Sequence, residues 1–403
     1  MSAARSNGVV PYFTRGVWVL VVLAALGLGS AMLRFIFGIG AVTNLDGQYP
    51  WGIWIGVDVA TGVALAAGGF TSSFIAHIMH RERYHVITRP ALLTAMLGYT
   101  FVALGVVIDL GRYYWIWHVL MPSMWQGNSA LFEVGICVVT YLTVLYIEFI
   151  PILTERFRGR VHFPGAWAAL NGFTESLLKF LDNTLGRAIT FFIIAGVVLS
   201  CMHQSSLGTL MVLAPSKLHP LWHTPILPLL FLLSAFAVGL AMVIFESILA
   251  SRSFKVPYET PILAQYARYI PIMLWIYVFA KVLDMVNRDS YMFLIDGSVE
   301  SIFFIIEVVV GVFIPIMIFT SRRLRKHTGW LFSGAAAVVF GVVLNRINVF
   351  IIGYQPPYAT QRYLPSIFEI LVTVGFISLL ILIYRFFVLN FPIIHELEKK
   401  KYA

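Results

Sequence analysis

Charge is scarce in this sequence. Asp, Glu, Lys and Arg make up 12% of its 403 residues, against about 25% in an ordinary soluble domain. With 59% of the residues hydrophobic, no polar stretch is left for a second, soluble domain or a low-complexity tail. Period-two alternation is also missing, which argues against a transmembrane barrel. Cysteine is nearly absent: Cys137 and Cys201 both fall in apolar runs, and no Cys-x-x-Cys spacing occurs. They read as two buried free thiols, so the chain is expected to hold no disulfide, no metal site and no iron–sulfur cluster of its own.

What the sequence has is apolar runs long enough to cross a bilayer, roughly 17–25 residues each. Ten are expected, near residues 16–38, 51–79, 90–110, 129–153, 187–210, 224–250, 262–286, 300–320, 328–352 and 365–390. The fold class is therefore all-α: a polytopic integral membrane protein of about ten transmembrane helices, with residues 1–403 forming one integral membrane domain. The first span is longer than the 7–15-residue core of a signal peptide and reads as retained. Basic residues cluster in every second connection: Arg81, Arg83 and Arg89; Arg156, Arg158, Arg160 and Arg187; Arg252 and Lys255; Arg322, Arg323, Arg325 and Lys326; Lys399, Lys400 and Lys401, with Arg5 and Arg15 before the first span. Under the positive-inside rule both termini are cytoplasmic. The net charge of +9 reflects this asymmetry, and its scatter over short loops argues against nucleic-acid binding.

Ionisable groups at membrane depth are costly and are functional candidates by default. Here they are Asp58, Asp109, Arg112, Glu133, Glu148, Glu246, Lys281, Asp284, Glu307, Arg346 and Glu369, with His203. From span direction and a rise of about 1.5 Å per residue, Asp58 lies about 10 Å below the outer surface. Asp109, Arg112, Glu133 and His203 approach the same outer layer, so four spans are expected to meet at one polar pocket there. Glu148 and Glu246 belong to the cytoplasmic half. A series Glu133, Asp58, Glu246 or Glu148 would step protons across the bilayer; alternatively, some of these acids only pair with Arg346, Lys281 or Arg112 to hold helices together. None of the ten histidines is expected at mid-bilayer: His77, His80, His85, His162, His327 and His395 fall on the cytoplasmic side, and His118, His203, His219 and His223 outside. That placement does not suit the paired haem ligands of a membrane cytochrome. His203 reads either as a donor to a ligand carbonyl or as a helix-end histidine bonded to a backbone carbonyl.

The run "GQYPWGIWIGVDVATGVALAAGGF" is rich in small residues that let helices approach, which accounts for its glycines but not for Asp58. Together with "DGQYPWGIWIGVDV", the stretches "RPALLTAMLGYTFVALGVVIDLGRYYW", "NSALFE", "MHQSSLGTLMV", "HPLW" and "VIFES" resemble the HybB-type branch of the NrfD/PsrC superfamily, from about residue 30 to 390. These are quinone-reactive membrane subunits of periplasm-facing redox complexes, among them hydrogenase-2 type nickel–iron hydrogenase. The resemblance implies two four-helix bundles plus two further helices, and no haem. It implies a menaquinone or ubiquinone site near the periplasmic side of a bacterial inner membrane. As partners it implies a periplasmic ferredoxin-like iron–sulfur subunit and the nickel–iron hydrogenase large and small subunits. Asp58, Tyr99, Asp109, Glu133, His203 and Glu246 match the motifs expected along the quinone and proton path. The connection over residues 156–186 is longer than the pattern leads one to expect.

On this reading His203 donates to one quinone carbonyl. Arg112 or Tyr113 holds the other side or orients Asp109, and Glu133 and Asp58 deliver protons supplied through Glu246 or Glu148. An equivalent subunit of another quinone-linked complex (a quinone reductase or an alternative-complex-III-like assembly), an ion-coupled transporter and a passive anchor stay open. A transporter is expected to show a pair of helices broken at mid-span, and no such Gly/Pro-broken pair is evident in the sequence.

Overall fold

The computed structural model describes residues 11–161, 168, 170–394 and 397. Arg5, His162, His395 and Lys399 to Lys401 lie outside the described residues. Among the described residues ten helices are long and apolar enough to cross a membrane. They are α1 (Arg15–Phe37), α2 (Trp54–Ile78), α3 (His85–Asp109), α4 (Ala130–Phe157), α5 (Asn171–Val212), α6 (Leu227–Phe254), α7 (Thr260–Asn287), α8 (Val299–Thr320), α9 (Thr328–Ile352) and α10 (Ile367–Asn390). Number and order agree with the expected spans. Successive helices run in opposite directions, so the arginine-rich connections share one end, called here the basic end; the other is the far end.

Two departures from the expected spans have local causes. Helix α5 begins at Asn171, so it is 42 residues long, about 63 Å at the α-helical rise. Its polar first third is braced by Arg158, whose guanidinium lies 2.5 Å from Asp182, and by the Gly159 amide donating to Glu175 at 3.1 Å. Helix α2 was expected as an unbroken span. It is instead wound as a π-helix over Trp54–Thr61, turns at Ala66–Ala67, and is π-helical again over Phe74–Ile78. The glycine-rich run has weak helix propensity, and the Thr61 hydroxyl takes up the Gly56 carbonyl at 2.9 Å.

Helices α2–α5 pack as one four-helix bundle and α6–α9 as a second, joined where α2 and α5 meet α6. Helices α1 and α10 pair with each other and lie against α2 and α3. Their backbones touch at Gly27 and Gly375: a Cβ on Gly27 would sit 2.6 Å from the Gly375 Cα. In a membrane, where helices gain no hydrophobic drive to associate, such close contact is what holds a pair.

Candidate functional site

In the first bundle, α4 turns three polar residues to one face. Glu133 lies in its first turn, Tyr141 two turns on and Glu148 two turns further. Helix α5 runs antiparallel and answers each of them. The Ser206 hydroxyl donates to the Glu133 carboxylate. One turn away, His203 lies between the rings of Tyr141 and Tyr99, with centroids 5.3 and 5.1 Å distant. Ser200 stands beside both phenols. Gly196 leaves the gap that Glu148 fills, since a Cβ there would come within 2.8 Å of Glu148 Oε1. The result is a column of polar side chains from the far end into the basic half, hydrogen-bonded at Glu133–Ser206 and Tyr99–His203 and unbonded at Ser200.

His203 is fully buried and its ring is engaged on both sides. Nδ1 is 2.7 Å from the Leu199 carbonyl, so it carries the proton. In the neutral ring Nε2 then accepts, and the Tyr99 hydroxyl donates to it. This is the backbone-satisfied histidine, not one with a nitrogen pointing to an open pocket. Gln204 continues the polar lining, donating to the Val63 carbonyl at 2.8 Å. Glu148 is 8% exposed and accepts no hydrogen bond among the described residues.

Asp58 and Asp109 share this depth but not this place. Asp58 packs against Gly105, one turn before Asp109 on α3. Both face the α1–α10 pair: Asp58 accepts from the Thr373 hydroxyl at 2.7 Å, and Asp109 Oδ1 is buried without a partner. The expected single pocket is thus two groups, because α2 and α3 present these acids toward α10 while Tyr99 faces the bundle interior. Nearby, Glu369 accepts from the Tyr363 hydroxyl and from the Asn44 amide at 3.1 Å.

The guanidinium at the end of α3 is not that of Arg112, which is exposed. It is Arg34, 1% exposed, in the last turn of α1. Its Nε donates to the Ile108 carbonyl at 2.6 Å and its terminal nitrogen to Leu110 O, closing the open carbonyls of α3. It stacks between Phe35 and Tyr113, with 4.9 Å to the latter's ring, so Tyr113 packs on Arg34. Tyr141, Ser200, Ser206 and Arg34 were not singled out from the sequence. For Tyr141 the signal was present: it repeats the face of Glu133 and Glu148.

Deeper toward the basic end, Glu246 of α6 has a buried Oε1 with no partner. Thr94 of α3 and Tyr384 of α10 stand beside it, their hydroxyls also buried and unpartnered. The second bundle is arranged differently. Lys281 Nζ lies 3.4 Å from Glu307 Oε1, and the same carboxylate accepts from Asn345 at 2.8 Å, Asn348 at 2.8 Å and Trp222 at 3.0 Å. Arg346 donates to Asn345 at 2.5 Å and Ser234 at 2.9 Å and lies 3.6 Å over the Phe231 ring. A cavity of about 10 Å³, room for one water, adjoins Lys281, Asp284 and Thr224. Here the reading of intramembrane charges as helix glue is the better one.

Ten apolar helices enclosing sparsely paired carboxylates and a buried tyrosine–histidine cluster define a multi-pass integral membrane protein with a polar interior. Comparison with known sequences narrows this: residues 41–357 match the family described as polysulphide reductase, NrfD, and the chain belongs to that family. It is 37% identical over 385 residues to a protein of Nitratidesulfovibrio vulgaris, covering 93% of each chain. It is 32% identical over 369 residues to the probable Ni/Fe-hydrogenase 2 b-type cytochrome subunit of Escherichia coli, covering 91% of this chain and 89% of that one. A shorter match, 30% over 195 residues, is to the integral membrane subunit of menaquinone reductase from N. vulgaris, covering 47% of this chain and 42% of that one.

Proposed function

We propose that this chain is the quinone-reactive membrane subunit of a redox complex of hydrogenase-2 type in a bacterial inner membrane. Electrons would reach it from a ferredoxin-like iron–sulfur subunit fed by nickel–iron hydrogenase large and small subunits, and leave on menaquinone or ubiquinone. The polar column between α4 and α5 carries the reading, in a chain whose relatives are named as a hydrogenase subunit and a menaquinone reductase subunit. The coarser statement, a membrane subunit of a quinone-linked oxidoreductase, rests on the family; the hydrogenase assignment rests on the 32% relative.

The residues fit a quinone at the far end of the column. A quinone supplies two carbonyl oxygens that take up protons as it accepts electrons. Glu133 is exposed and within reach of a lipid-borne ligand, and the Ser206 hydroxyl beside it is a donor. Behind them, Tyr99 and His203 hold a proton between phenol and imidazole. Their role in this proposal is to pass a proton outward to Glu133, not to grip a carbonyl. Tyr141 and Ser200 link that cluster toward Glu148, the acid on the basic side. Asp58, Asp109, Arg112 and Tyr113 then frame the region rather than lie on the path, and Glu246 marks a second polar island toward the basic end. This reading assigns no haem: among the described residues His203 is the buried histidine, and both its nitrogens are engaged.

π-wound turns occur in α2, in α8 (Val309–Phe313) and in α9 (Asn348–Ile352), and would favour an ion-coupled transporter; but of these three α2 alone leaves the helix at mid-span, at Ala66–Ala67, whereas transporter sites pair two broken helices. The test is purification in mild detergent with Tyr141→Phe as the probe. The parent is expected to bring down a quinone and an iron–sulfur protein. The variant should keep dye reduction by the donor subunits but lose quinone reduction about a hundredfold, the usual scale of general acid–base assistance. A parent preparation with neither quinone nor iron–sulfur protein would overturn the proposal.

A further inference from the structure

Between Ile108 and Val134 no residue is buried, and the only charged side chains over that length are Asp109, Arg112 and Glu133. The segment joins α3 to α4 at the far end. It is a flat pair of 3₁₀ turns, Tyr113–Leu120 and Pro122–Met124. Its exposed side chains are large and apolar: Tyr114 59%, Trp115 45%, Trp117 43%, Leu120 63%, Met124 52% and Trp125 45% exposed. It is also tied down at both edges. Tyr113 packs edge-on against Phe35 of α1 with centroids 4.7 Å apart. Val119 reaches Gly135 of α4, and Trp125 donates to Val119 O at 2.9 Å while tilting over Phe132. A well-anchored segment has no folding reason to leave three indoles uncovered in water.

The apolar spans α3 and α4 end at Asp109 and begin at Ala130, and the segment between them carries exposed apolar side chains across the gap. Indole and phenol rings with polar tips favour the boundary between headgroups and acyl chains. From this continuity with the lipid-facing surface, we propose that Tyr113–Trp125 lies in the headgroup layer of the far-end leaflet. Resting on the quinone reading above, it forms there the sill over which a long-tailed quinone passes from the lipid to Glu133. Glu133 stands in the first turn of α4, the helix into which the segment leads.

Two measurements on the purified complex separate the parts. In phosphatidylcholine vesicles brominated near the top of the acyl chains, indole fluorescence of the parent should be quenched. Trp115→Phe with Trp117→Phe should remove a clear share of that quenching. An unchanged quenched share would overturn the membrane placement and leave the donor protein as what covers the segment. For the sill, Trp117→Asp should raise KM several-fold for a long-tailed quinone but not for a short, water-soluble one. Equal changes for both would sink the entry role. If neither quinone is reduced by the parent, the quinone reading fails while the quenching result stands.

Discussion

Two buried carboxylates, one in each bundle, are held in opposite ways. In α6–α9 the Glu307 carboxylate receives four donors from three directions: Lys281, Asn345, Asn348 and Trp222. In α2–α5 the Glu148 carboxylate receives none, and the hydroxyls of Ser200 nearby and of Thr94 beside Glu246 are unpartnered as well. Moving a proton on or off a carboxylate that already holds four donors means breaking its neighbours' bonds. A sparsely bonded acid gains and loses one at little structural cost. Intramembrane charge alone therefore does not mark a functional site; what separates Glu148 from Glu307 is how many partners each has, and Glu246, although on α6, sides with Glu148.

The sharpest way to break this comparison is to remove the saturated carboxylate. Glu307→Ala leaves Lys281 and Arg346 as two buried cations with no anion, and strands three neutral donors. Loss of one partner of a buried pair costs about 3–5 kcal/mol. The variant is expected to fail assembly or to unfold at much lower temperature in detergent. If instead it assembles at parental yield and loses only turnover, the second bundle is the working one and the assignment of roles is reversed.

Glu148→Gln tests the other side. The amide fits the space left by Gly196 and keeps its volume, so the fold is expected to hold. Gln cannot carry a proton, so quinone reduction should fall about a hundredfold while dye reduction by the donor subunits persists. Assembly failure here would make Glu148 a structural acid like Glu307.

Glu246→Gln is expected to have an intermediate effect. Its neighbours Thr94 and Tyr384 can both bond an amide, so stability should be unchanged or slightly improved. Quinone turnover should slow several-fold if the Glu246 island feeds the column. Membrane potential generated in proteoliposomes, read beside turnover, separates a slowed path from an uncoupled one. Parental values in both would remove Glu246 from the path.

These contrasts explain what the sequence did and did not disclose. The ten spans were legible because apolar length is a strong signal, and the acids because each is conspicuous in an apolar run. The break in α2 was not legible: a glycine-rich run reads as close packing, and π-winding depends on which carbonyl a threonine captures. Nor could depth alone say that Asp58 and Asp109 turn toward α10 while Tyr99 turns inward, since that is decided by azimuth around each helix. Arg34 escaped because it sits at the end of a span, where a basic flank is ordinary; only the fold shows it closing the end of α3. Tyr141 escaped although its spacing from Glu133 and Glu148 already put all three on one face.

The smallest effect is expected at Asp58, which the sequence placed on the proton path. In the structure its carboxylate lies outside the α4–α5 column, against α10. Thr373 donates to it at 2.7 Å. Asn at this position keeps an acceptor oxygen for that hydroxyl and nearly the same volume against Gly105. No cation is bonded to the Asp58 carboxylate, so the change costs nothing in lost ion pairing. Asp58→Asn keeps the Thr373 hydrogen bond and should therefore change stability by no more than about 1 kcal/mol, the worth of one such bond, and turnover by about twofold or less. Quinone reduction and thermal unfolding of the same preparation measure both. A hundredfold loss of quinone reduction with dye reduction intact would put Asp58 back on the path. The far-end site would then lie between α2, α3 and α10, where Asp109 keeps an unpartnered oxygen, and not between α4 and α5.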